Sequence, residues 1–121
     1  MNRTVPLDPE IRVVSEYREA VCQVSLSGRI TIDSSPGLHA LLLERIECPR
    51  CQILMVNFCE VAYIDTSGLA VLVEILKAAR LQEKVFHLIG LRERPRYLLE
   101  KTRLLHLFDS ATPENPQSSA S

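Results

Sequence analysis

From Ile11 onward, apolar and polar positions alternate. Ile11, Val13, Ser15 and Tyr17 share one side of "IRVVSEY"; Cys22, Val24 and Leu26 share one side of "VCQVSLSG". A period of two is that of a strand with one buried face. "REA" between the two runs can turn, so together they predict a hairpin. Gly28 ends the second strand, and after "RITIDSSPG" the period lengthens. Leu38, Leu41, Leu42 and Ile46 recur at helical spacing, with Ser35 the expected N-cap. Pro36 takes the first helical position, where its missing N–H is no loss, and Pro49 stops the helix.

"QILMVNF" is nearly all apolar and of strand length, as suits a strand covered by helices on both faces. "CEVAYIDTSG" then predicts a connection into a second helix. There Leu69, Leu72, Val73, Leu76 and Ala79 trace one face, and Glu74, Lys77 and Arg80 point to water. "EKVFHLIGL" predicts another short strand, followed by a third helix near residues 93–102 with Pro95 in its first turn. "RLLHLFD" predicts a last helix or strand. The order β-β-α-β-α-β-α predicts an α/β fold: a mostly parallel central sheet, an N-terminal hairpin, and helices packed against it through right-handed crossovers. Residues 1–9 predict a flexible extended arm and 10–109 one domain; the Pro/Ser-rich 110–121 predicts a disordered tail.

The 121 residues suffice for a single core. A formal net charge of -1 argues against a direct nucleic-acid binder, which carries a basic excess. No apolar run approaches the ~20 residues of a membrane span, and "MNRTVPLDPEIR" lacks the apolar segment of a secretory signal. A cytoplasmic protein is therefore expected.

Signals for catalysis are thin. Neither G-x-G-x-x-G nor G-x-x-x-x-G-K-[ST] is present to cradle phosphates. Ser67, His87 and Asp65 can be written as a triad, but the residue two before Ser67 is Asp65 rather than the glycine of a nucleophile elbow. Cys48-Pro-Arg-Cys51 is a C-x-x-C without a second close pair of Cys or His, and it closes a helix where a thioredoxin-type pair would open one. Ordinary reduced thiols are expected there, with redox or metal chemistry the alternative.

The helix start at Asp65-Thr66-Ser67-Gly68 reads in two compatible ways. First-turn N–H groups lack intrahelical acceptors, so a side-chain oxygen there is a cap. A hydroxyl there can also be a phosphorylation target. A phosphate adds about -1.5 to -2 charges, which free N–H groups and the positive helix end can hold.

"ILMVNFCEVAYIDTSGLAVLVEILKAAR" resembles the hallmark segment of the STAS domain, in particular of bacterial anti-sigma factor antagonists. The shared pattern is an apolar strand, a loop, a hydrophobic-Asp-Ser/Thr-Ser/Thr-Gly-Leu motif and an apolar helix. "VCQVSLSGRI" and "KVFHLIGLRERPRYLLEKTRLLHLFD" resemble further parts of the same domain. The resemblance implies a non-enzymatic binding module with no cofactor of its own. It sequesters an anti-sigma factor serine kinase, is phosphorylated by that kinase with the kinase's ATP, and is reset by a phosphatase. It further implies Ser67 as acceptor, with Thr66 the alternative, Asp65 and Gly68 as support, and a docking face of Arg29, Thr31, Asp33, Thr66, Ser67 and Leu69. Many such domains read Gly-x-Leu-Asp in the turn where this chain has Gly28-Arg29-Ile30-Thr31, and have a glycine in the connection here occupied by "RLQEKV". An alternative is an unphosphorylated STAS accessory subunit of a lipid-transport ABC system. Oligomeric state is open.

Overall fold

The computed structural model describes residues 3–8 and 11–109. Five strands form one sheet in chain order: β1 (Arg3–Asp8), β2 (Ile11–Arg18), β3 (Val21–Ile30), β4 (Ile53–Ile64) and β5 (Val85–Ile89). β1–β2 and β2–β3 pair antiparallel, β3–β4 and β4–β5 parallel. The helices are α1 (Ser35–Glu47), α2 (Thr66–Leu81), α3 (Glu93–Lys101) and α4 (Leu105–Asp109). The parallel strands carry the two crossover helices, and the hairpin lies on their N-terminal side as the element order predicts.

Several details differ from the sequence reading. Residues 3–8, expected to be an arm, are the edge strand β1, where Pro6 is tolerated because an edge residue can leave its N–H side unpaired. The expected tail lies outside the described residues. The "RLLHLFD" segment is helical. α1 begins one residue early, with Ser34 as N-cap, and Ser34 makes no side-chain cap bond. Its Oγ instead accepts from the Thr31 amide at 2.9 Å and donates to the Arg29 carbonyl at 3.0 Å, closing the turn between β3 and α1.

β4 is covered by helices on one face only. β3, β4 and β5 succeed one another in the same direction, so two right-handed crossovers put α1 and α2 on the same side, where they pack together. Leu54, Val56 and Phe58 are buried while Ile53, Met55 and Asn57 stay partly open. With Val24, Leu38, Leu42, Leu72 and Ile75, the buried side chains form one core. Each such side chain contributes roughly 1.5–3 kcal/mol relative to exposure.

β4 also runs to Ile64, through the stretch expected to be a connection. Ser25 pairs Asn57 and Ser27 pairs Glu60, so β4 holds an extra residue there. This bulge breaks the alternation and exposes Cys59 and Glu60 in succession. A second extra residue follows, since Gly28 pairs Val61 and Arg29 pairs Tyr63, so Val61 and Ile64 are both buried although three residues apart, and the strand delivers the chain to Asp65.

α2 ends in a Schellman motif: Lys84 N–H donates to Ala79 O at 2.8 Å and Glu83 N–H to Arg80 O at 3.1 Å. Glu83 stands at φ 58°, where a glycine would be unstrained. The glycine missing from "RLQEKV" is thus replaced by a strained glutamate. Glu83→Gly is expected to stabilise the protein by about 0.5–1 kcal/mol, read as a rise in the denaturation midpoint with unchanged slope.

Candidate functional site

Asp65 caps α2. Its Oδ1 accepts from Ser67 N–H at 2.9 Å, from Gly68 N–H at 3.3 Å and from the Ser67 hydroxyl at 2.5 Å. The Ile32 amide lies within reach of the carboxylate, and the Asp65 amide donates to Ile30 O at 3.0 Å. The loop before α1 and the motif before α2 are therefore stitched into one surface. Partial burial pushes the Asp65 pKa upward, but the hydrogen bonds outweigh it and hold the carboxyl below its ordinary value.

This sets an expected pH dependence. A depressed folded pKa contributes stability above the unfolded value, roughly 4 for Asp, and the contribution disappears as pH falls through the folded value. Asp65→Asn is expected to cost about 1–2 kcal/mol at neutral pH. The gap from wild type should close in acid, as denaturant titrations at both pH values would show.

Gly68 is buried because nothing larger fits. A Cβ there would lie 2.5 Å from Ile64 Cγ1 and 2.6 Å from Ile30 Cγ2, both in the core. Gly28 has φ 116°, a left-handed value that glycine adopts freely, at the point where β3 shifts register against β4 and swings Arg29 outward.

Most of the predicted docking residues come together. Thr66, Arg29 and Asp33 are exposed, and Thr31 and Ser67 are partly so. The Arg29 guanidinium lies 4.4 Å from the centroid of the Tyr63 ring. Thr31 does not present an acid; its Oγ1 accepts from the Asp33 amide at 3.2 Å and its carbonyl from the Ser34 and Ser35 amides. Leu69, expected on this face, is not there. It is 4% exposed and belongs to the core, because α2 turns it under the sheet-facing side.

Two features escaped the sequence reading. Ile32, in the stitched turn, is 71% exposed. A groove of about 830 Å³ separates the motif from α3, lined by Tyr63, Asp65, Thr66, Arg94, Arg96 and Tyr97. A single apolar residue in a polar turn gave no periodic signal, and the groove depends on where α3 docks.

The Ser67–His87–Asp65 triad does not form. His87 is buried beside Met55 in the parallel register, nine residues before Ile64. At a strand's rise of ~3.3 Å per residue that is roughly 30 Å of strand. Among the described residues, no group of three His, Cys, Asp or Glu side chains is placed to hold a metal ion, and no helix is long and apolar enough to cross a membrane.

The STAS domain family model matches residues 12–118. A putative sulfate transporter of Bacillus subtilis strain 168, YvdB, is 33% identical over 88 residues; these are 72% of this chain but 16% of that protein, so the chain spans a small part of the transporter's length. Among solved structures, an anti-sigma factor antagonist from Mycobacterium paratuberculosis superposes with a TM-score of 0.74 at 22% identity, over 86% of this chain and 93% of that one. The Bacillus cell fate determinant SpoIIAA in its phosphorylated form gives 0.63 at 14%, over 76% of this chain and 84% of that one. At these identities the likeness of the structures is one of fold.

Proposed function

The chain belongs to the STAS domain family, and from that premise we propose that it is an anti-sigma factor antagonist, a cytoplasmic binding module switched off by phosphorylation at Ser67. The observation that carries this reading is Ser67: a half-buried residue at a capped helix start whose hydroxyl donates to the Asp65 carboxylate. Asp65 orients the hydroxyl and is placed to take its proton as the oxygen attacks the γ-phosphorus of ATP. The bond to the β-phosphate breaks and ADP leaves. The kinase brings the ATP, and the antagonist brings the acceptor.

The unmodified face suits a protein partner. Ile32 offers an apolar anchor, with Arg29, Asp33 and Thr66 around it as a polar rim. A phosphate on Ser67 puts like charge beside Asp65 and bulk in the middle of this face, and the partner is released. A phosphatase restores the hydroxyl. That SpoIIAA was solved in a phosphorylated form supports a fold able to carry the group.

Intact mass after incubation with a purified anti-sigma serine kinase and ATP tests the acceptor. One added phosphate is expected on wild type and on Thr66→Ala, and none on Ser67→Ala. Labelling unchanged in the double variant would refute the site.

The match to the sulfate transporter favours a second reading: a constitutive accessory module of a membrane transport system, including the lipid-transport ABC type. Co-purification with a membrane transport protein, indifferent to Ser67→Ala and Thr66→Ala, would select it.

A further inference from the structure

At the opposite end of β4 from the motif, three of the four cysteines meet. Cys48 is the C-cap of α1, Cys51 lies just before β4, and Cys22 is on β3 paired to Tyr17 of β2. Cys22 and Cys51 are fully buried, with their side chains within hydrogen-bonding reach of each other. Cys48 is partly exposed. The Tyr17 hydroxyl lies within hydrogen-bonding reach of both Cys48 and Cys22, so one polar chain joins all three sulfurs. The Arg50 guanidinium lies 4.5 Å from the centroid of the Tyr17 ring.

From this convergence we propose that Cys48 and Cys51 form a hydroperoxide-reactive dithiol, with Cys48 the attacking thiol and Cys51 the resolving one. Cys51 N–H donates to Cys48 O at 3.0 Å, closing a turn. Such a turn keeps its end Cα atoms within about 7 Å, near the upper end of what a disulfide spans. The Arg50 and Cys51 amides also lie within reach of the Cys48 sulfur, which sits against the backbone of its resolving partner.

A thiolate at a helix C-terminus ordinarily meets the negative end of the dipole. Here Lys84 removes that obstacle. Its Nζ donates to Ile46 O at 2.7 Å and Cys48 O at 2.9 Å, occupying carbonyls that end α1. The Tyr17 hydroxyl and the two amides then favour the ionised sulfur, and the Cys48 pKa lies below its ordinary value. Cys51 is held as a neutral thiol by its bond to Cys22 and by burial.

The chemistry balances with a hydroperoxide as oxidant. The Cys48 thiolate attacks one peroxide oxygen; an S–O bond forms, the O–O bond breaks, and the departing oxygen takes a proton as water or alcohol. Cys48 is now a sulfenic acid. The Cys51 sulfur attacks that of Cys48 as its proton leaves; the S–S bond forms, the S–O bond breaks, and hydroxide departs with the proton as water. The two thiols lose two electrons and the peroxide gains them.

The test treats the full chain with hydrogen peroxide and maps its peptides, with exposed Cys59 as the internal reference. A Cys48–Cys51 disulfide is expected before oxidation of Cys59, lost completely in Cys48→Ser. In Cys51→Ser, a dione that traps sulfenic acids is expected to label Cys48. Should that variant fail to fold, alkylation of wild type still decides, with Cys48 expected to react faster than Cys59. Oxidation of Cys59 while Cys48 and Cys51 stay thiols, a disulfide excluding Cys48, or alkylation of Cys48 no faster than Cys59 would each overturn the proposal.

Discussion

Gly68→Ala is expected to destabilise the protein by about 1–3 kcal/mol, the usual cost of overpacking a filled core. Helix propensity alone predicts the opposite sign, since alanine is better than glycine inside a helix by about 1 kcal/mol. The contacts decide it. The added methyl would meet Ile64 and Ile30 at 2.5–2.6 Å, and both isoleucines are packed at the ends of β4 and β3. To admit it, α2 must move off the sheet. Its first turn carries Thr66 and Ser67, and Asp65 ties that turn to Ile32. The substitution should therefore lower stability and partner affinity together. Denaturant titration reads the first; gain of stability would show that α2 is not seated as described.

Phosphorylation at Ser67 is expected to leave the fold standing and weaken binding to the anti-sigma factor by about 3 kcal/mol, roughly a hundredfold. The ester oxygen can no longer donate to Asp65, and two negative groups now adjoin. The helix start offsets part of that repulsion, typically by 0.3–1 kcal/mol. The thermal midpoint should therefore shift little while affinity collapses. Ser67→Ala separates the two effects. It removes a hydrogen bond of ~1 kcal/mol without adding charge, so it should bind but resist release by ATP. Ile32→Ala should also weaken binding with little change in stability, because Ile32 is exposed.

The hairpin and the two crossover helices were legible because each follows a clean period, and the last parallel strand because a short apolar run between polar residues has strand length. Ile11, Val13 and Ser15 alternate inward as written, and Leu72 and Leu76 face the core. Phase was less secure. Val71 and Ile75 are buried where Val73 was expected, since a helix stripe wraps by 3.6 residues and several phases fit so apolar a segment. The second half of β4 was hidden by the bulge at Cys59 and Glu60. Coverage of β4 was misread because an apolar run does not reveal that consecutive crossovers share a face.

At the site, Asp65, Thr66, Ser67 and Gly68 stood out locally because capping is a short-range affair. The stitch from Asp65 to Ile30 and Ile32 joins segments more than thirty residues apart and left no sequence signal. Thr31, where an acid is common, sits in a turn completed by Ser34, so the turn holds its shape without the carboxylate.

The most direct measurement is the affinity of one anti-sigma serine kinase for this protein before and after stoichiometric phosphorylation, with the phosphate mapped. The account predicts a tight complex with the unmodified chain and one weakened roughly a hundredfold when the phosphate is on Ser67. Equal affinities for the two forms, or a phosphate mapped away from Ser67 and Thr66, would contradict it.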